Sequence, residues 1–109
     1  VNPIEVVLTS GSTAHVAVAG DLTLETGDVI LRKLSNLLDR GYVHLVVDGS
    51  GVSFCDSTGL GALLRARARA SSVAGGLTIR AASPQLQRVV RLAGLQKLLT
   101  GDEAEQVSE

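Results

Sequence analysis

The sequence predicts an α/β protein: a mixed sheet of four or five strands with helices packed on it. Three observations carry this. Short β-branched runs alternate with segments whose apolar residues recur every three or four positions. The first two runs are separated only by the turn cluster Ser10-Gly11-Ser12, which predicts an antiparallel hairpin. Each later run is separated from the one before it by a helical pattern, which predicts parallel neighbours. The length of 109 residues fits one domain. Its core is expected over about residues 4–100, with 101–109 as an acidic terminal helix or tail.

Ile4 to Leu8 reads as the first strand and His15 to Ala19 as the second, ended by Gly20. Thr26 is a plausible N-cap, with Asp28 in the first turn where a carboxylate suits the helix dipole. Ile30, Leu34, Leu37 and Leu38 form the stripe of that helix, and Gly41 is a fitting stop. Val43 to Val47 predicts a strand buried on both faces, followed by loop chemistry in Asp48-Gly49-Ser50-Gly51. Leu60, Leu63, Ala66, Ala70 and Val73 mark a second helix closed by Gly75-Gly76. Leu77 to Ala81 is a further strand. Ser83 and Pro84 open a third helix, with Leu86, Val89, Val90 and Ala93 on its inner face and Gly94 as its stop. Lys97 to Thr100 reads as a last short strand.

Composition narrows the function. Hydrophobic residues make up 45 % of the chain, which excludes disorder over most of its length. Net charge is −1 and aromatics are 2 %, so neither electrostatic binding to nucleic acid nor base stacking is favoured. The single cysteine, Cys55, can form neither an internal disulfide nor a zinc cage. No apolar run reaches the roughly 18 residues of a membrane span. The opening residues Val1-Asn2-Pro3-Ile4-Glu5 do not resemble a secretory signal. A cytoplasmic protein is expected, and with no apolar surface stripe evident, a monomer.

The chemistry concentrates in Asp56-Ser57-Thr58-Gly59, where a strand or loop passes into a helix. The simplest role is a helix N-cap, with Asp56 or Ser57 accepting from backbone N–H groups two or three residues on. The same geometry tolerates an anion, because a helix N-terminus presents free donors and about half a positive charge. A hydroxyl there can carry a phosphate, about −1.5 to −2 charges at pH 7, without unfolding the helix. Gly59 and Gly61 are expected to leave the surface low for an approaching protein.

Phe54-Cys55-Asp56-Ser57-Thr58-Gly59-Leu60-Gly61 resembles the motif of STAS domains in bacterial anti-sigma factor antagonists. Gly20-Asp21-Leu22-Thr23, Val46-Val47-Asp48, Ser83-Pro84-Gln85-Leu86-Gln87-Arg88-Val89 and Ala93-Gly94-Leu95 fall in register with other segments of that family. The resemblance covers about Glu5 to Leu99. It implies that Ser57 is a phospho-acceptor, with Thr58 the second choice, and that Asp56 orients the hydroxyl and helps hold a kinase's Mg²⁺. It implies binding to an anti-sigma factor, in many members a serine kinase that uses ATP and magnesium, and resetting by a phosphatase. It implies no cofactor, metal or catalysis in the chain itself. The expected docking surface is Asp21, Thr23, Asp56, Ser57, Thr58, Gly59 and Gly61, with Arg65 and Arg69 outlying. Thr23 departs from the aspartate common in the family. Asp21 keeps a carboxylate nearby in sequence, but strand alternation should turn it to the other face.

Other readings are weaker. Arg65 and Arg69 share the exposed side of their helix, with Arg67 at its flank; a solvated face is the simpler account, and an acidic patch on a partner the functional one. Cys55 is expected to be buried packing, although a nearby helix N-terminus lowers thiol pKa values. His15 and His44 lack neighbours at metal-ligand spacing. A serine-hydrolase elbow needs Gly where Cys55 stands, and no general base is evident. Neither a dinucleotide loop nor a phosphate-binding lysine loop is present. A STAS subunit that is never phosphorylated, working as a scaffold or partner in a larger assembly, is the main alternative.

Overall fold

The computed structural model describes residues 2–99. The expected tail over 101–109, and Thr100, lie outside them. Strands β1 (Ile4–Ser10) and β2 (Thr13–Leu22) are followed by helix α1 (Leu24–Asp39), β3 (His44–Cys55), α2 (Ser57–Ser72), β4 (Gly76–Arg80) and α3 (Pro84–Leu92). Gln96–Leu98 form a short 3-10 turn. Among the described residues the sheet has four strands in the order β1-β2-β3-β4. The β1–β2 pair is antiparallel and closes on Gly11-Ser12, with Gly11 at φ 59°. The β2–β3 and β3–β4 pairs are parallel.

This order decides where the helices go. Right-handed crossovers between strands laid down in one direction put successive helices on one face. Accordingly α1 and α2 pack against each other as well as on the sheet. Ala14, Val16 and Val18 of β2, Leu45 and Val47 of β3, and Leu77 and Ile79 of β4 meet Ile30, Leu34 and Leu37 of α1 and Leu60, Leu63, Ala66 and Ala70 of α2 in one buried core. The alternate strand residues His15, Ala17, Val46 and Thr78 are only half-buried. The expectation that the Val43–Val47 run is buried on both faces is therefore corrected: one face of β3 takes the helices and the other does not.

Several boundaries move. The Asp48–Gly51 stretch is strand, not loop. Its Asp48 Oδ1 accepts from Ser50 N–H at 2.9 Å, and Ala19 pairs with Gly51. Here the glycines serve close packing: a β-carbon on Gly49 would stand 2.5 Å from Leu86 of α3. The N-cap of α1 lies three residues before the expected one: it is Thr23, and Thr26 Oγ1 accepts from Thr23 N–H at 2.9 Å. Asp28 consequently sits beyond the first turn and pairs with Arg32 at 3.0 Å. Gly20, at φ 85°, does not end β2 but marks an irregularity beyond which the strand runs to Leu22. Val73 caps α2 and is exposed rather than part of its stripe, and Ala93 is exposed where α3 ends. The expected last strand is reduced to one bridge, Ile79 to Leu99, beside the 3-10 turn.

The start of α3 is as expected: Ser83 Oγ accepts from Leu86 N–H at 3.2 Å and Pro84 occupies the first turn. The end of α2 is not closed by a glycine in the left-handed region. Ala74 takes that conformation at φ 63°, and Gly75 is needed for another reason. A β-carbon on Gly75 would overlap the Val43 carbonyl, which also accepts from Gly76 N–H at 3.0 Å. Gly75→Ala must push β3 and β4 apart. It is expected to lower stability by about 1–3 kcal/mol, measured by urea unfolding followed by circular dichroism.

Candidate functional site

Parallel strands gather their carboxyl ends, and the helices that follow them begin there. At the ends of β2 and β3 the N-termini of α1 and α2 stand side by side. Asp56 N–H donates to the Leu22 carbonyl at 3.2 Å, tying the turn before α2 to the end of β2. Leu22 and Cys55 are partners across the two strands and both are buried.

Asp56 is the N-cap of α2. Its Oδ1 accepts from Gly59 N–H at 2.9 Å and from the Thr58 hydroxyl at 2.6 Å. The Thr58 hydroxyl bond, with the Gly59 amide second, holds the carboxyl below the usual 3.8. Ser57 is the first helical residue and is exposed. Its hydroxyl makes no side-chain hydrogen bond among the described residues, whereas that of Thr58 is committed to Asp56. The two hydroxyls thus differ in availability as well as in sequence position. The expectation that Asp56 orients the Ser57 hydroxyl is corrected: its carboxylate holds Thr58 and Gly59 instead.

Gly59 also has a different role from the one expected. It is buried, and a β-carbon there would overlap the Leu22 carbonyl and stand 2.9 Å from Leu22 Cγ. It allows α2 to close on β2 and offers no surface to a partner. Gly27 of α1 completes the same contact: its β-carbon would lie 3.0 Å from Ala62 Cβ and 3.5 Å from Gly59 Cα. Gly61 is half-buried, and a β-carbon there would meet only the Arg65 guanidinium at 3.6 Å, so its surface is low as expected.

Asp21 is exposed, on the opposite side of the strand from buried Leu22; the expectation that alternation would separate it from position 23 is corrected, because residues two apart share a strand face. The Asp21 carboxylate accepts from the Ser53 hydroxyl at 3.2 Å, and its backbone carbonyl accepts from the Thr26 hydroxyl at 2.6 Å. Thr23, at the start of α1, directly follows Leu22 and so stands beside the Asp56 turn. Arg65 is exposed and its guanidinium folds back toward the first turn of α2. Arg69 is not brought to the site. It lies twelve residues beyond Ser57, about 18 Å along the helix, and its guanidinium is 3.8 Å from Asp39 of α1.

Cys55 is buried, and its thiol is pushed up to about 11 by that burial and by the Asp56 charge. Proximity to a helix N-terminus does not activate it. The sequence reading missed two neighbours, Phe54 and Leu24, which are 50 % and 65 % exposed. The available signal was an apolar residue on each strand-to-helix junction, outside either helical stripe.

The family described as "Mlab, STAS domain" matches residues 6–100. The anti-sigma factor antagonist SpoIIAA in its unphosphorylated form superposes with a TM-score of 0.79 at 22 % identity, over 95 % of this chain and 92 % of that one. The phosphorylated form of Bacillus SpoIIAA gives 0.73 at 21 % identity, over 96 % of each chain. An anti-sigma factor antagonist from Mycobacterium paratuberculosis gives 0.74 at 24 % identity, over 97 % and 94 %. These likenesses establish a shared fold.

Two outcomes follow from this geometry. The stability that Asp56 gains by having its pKa lowered is present above pH 3.8 and lost as pH falls through the lower folded value. The difference in melting temperature between the wild type and Asp56→Asn should therefore be largest at neutral pH and shrink below pH 4 (about, from the ordinary carboxylate range). Cys55 should resist a thiol reagent at pH 8 (about half a unit below an ordinary thiol pKa) in the folded protein and react promptly in denaturant.

Proposed function

Because the chain belongs to the STAS domain family, we propose that it is an anti-sigma factor antagonist switched at Ser57. It binds an anti-sigma factor in the cytoplasm, as a monomer without catalytic activity of its own, and so frees the sigma factor. One observation carries this reading: Ser57 offers an exposed, uncommitted hydroxyl at the start of a helix whose cap is already filled by Asp56. A kinase partner with ATP and Mg²⁺ can reach that oxygen without disturbing the Asp56–Gly59 and Asp56–Thr58 bonds that hold the turn.

The consequence of phosphorylation follows from the same bonds. The Asp56 carboxylate already takes the Gly59 amide, so a phosphate on Ser57 is repelled from the cap and directed outward. There it meets the docked partner as a hydrated group of about −1.5 to −2 charges. Removing about 1.4 kcal/mol of binding energy weakens a complex tenfold, a modest demand on such a charge. A phosphatase would restore binding. The existence of SpoIIAA in phosphorylated and unphosphorylated forms supports a switch of this kind on this fold.

Incubation with purified anti-sigma factors and Mg-ATP, read by intact mass, tests the switch. A gain of one phosphate is expected, absent in Ser57→Ala and retained in Thr58→Ala. Ser57→Asp is expected to weaken binding about tenfold or more. Tight binding with no mass change would replace the switch by a constitutive partner subunit.

A further inference from the structure

The large apolar side chains left in water fall into separate groups. Val6, Val7 and Leu8 lie on the outer strand β1, where the ladder is broken by an irregularity between Val6 and Leu8. Val73 and Leu92 lie at the ends of α2 and α3. Val29 lies on α1 beside Arg32 and Lys33. Leu24 and Phe54 differ in position. Leu24 is the first residue of α1, and Phe54 is the last strand residue but one before Asp56. Both stand at the carboxyl end of the parallel strands, the end that carries Ser57. Phe54 pairs across the ladder with Asp21, and the adjoining pair is Leu22 with Cys55.

Charge distinguishes this group further. Asp21 is the ladder partner of Phe54, Glu25 follows Leu24 at the start of α1 and Asp56 lies two residues beyond Phe54, and none of the three is paired with a cation among the described residues. Two copies of the chain meeting here would bring like charges together. A partner with a basic rim around an apolar hollow would meet both features at once.

We propose that Leu24 and Phe54 are the apolar anchors by which the anti-sigma factor recognises this chain, inside a rim formed by Asp21, Glu25 and Asp56. This rests on the antagonist reading above and adds to it which side chains supply affinity. Ser57 then acts as the gate, while the flanking pair supplies the buried contact. Interface energy concentrates in a few side chains that are fully desolvated in well-packed pockets. The remaining exposed apolar residues are not needed.

The test uses the purified anti-sigma factors of the source organism as probes, with binding measured by calorimetry on the full chain. The double variant Leu24→Ser/Phe54→Ser should lose affinity about tenfold or more, while Val73→Ser/Leu92→Ser binds like the wild type. All four positions are at least half exposed, so melting temperatures should stay close to wild type; the single variants L24S and F54S carry the test if the double variant melts low. Unchanged affinity in L24S/F54S would overturn the anchor proposal and leave the antagonist reading intact. Failure of every anti-sigma factor to bind the wild type would overturn both. A wild-type dimer that L24S/F54S dissociates would overturn the proposal by making a second copy the occupant.

Discussion

The close approach of α2 to the end of β2 is the constraint on which the site depends. Gly59 lies so near the Leu22 carbonyl that no β-carbon fits between them, and Asp56 N–H donates to that same carbonyl. Leu22 therefore fixes both the turn before α2 and the depth at which the helix sits. Gly27 extends the contact to α1, whose backbone comes close to Gly59 and Ala62. Two helix N-termini are thereby locked beside each other, and the first exposed hydroxyl of α2 is set at a fixed place on a rigid edge.

Within that edge the polar groups divide the work. Asp56 satisfies an orphan helix donor and holds the Thr58 hydroxyl. Thr26 caps from within α1 and also reaches the Asp21 carbonyl. Those bonds make the scaffold independent of Ser57, the one member of the turn without a side-chain partner among the described residues. A modification at Ser57 can then change what the surface presents without changing how the surface is built. Buried Cys55, with its thiol pushed up to about 11, belongs to the scaffold and not to the chemistry.

The departure at Thr23 also has a structural meaning. As N-cap of α1 it shares an N–H bond with Thr26 and sits next to the Asp56 turn, so the position is structural in this chain whatever its part in recognition. With no carboxylate at that point, the acidic character of the edge comes from Asp21, Glu25 and Asp56. Apolar Leu24 follows immediately, so the surface combines negative charge with exposed hydrocarbon in a small space.

Alternating periods of two and near four residues, the turn cluster at Ser10–Ser12, the Ser83-Pro84 cap and the Asp56–Gly61 string were enough to give the element order, the mixed sheet and the position of Ser57. Those features are local: each follows from hydrogen bonding or side-chain spacing within a few residues. The glycines were misread for the opposite reason. Gly49, Gly59 and Gly75 resemble turn or surface residues in sequence, yet each is small because another segment passes against it, and that segment is distant along the chain. The start of α1 moved to Thr23, and the Asp48–Gly51 run became strand, because Thr26 and β2 supplied partners that propensity alone does not reveal. The sequence by itself determined that two adjacent hydroxyls, Ser57 and Thr58, stand at the start of a helix; only the tertiary structure decided that the Asp56 cap takes Thr58 and which side chains surround them, because competition for a cap and burial against distant segments depend on geometry that residue spacing does not fix.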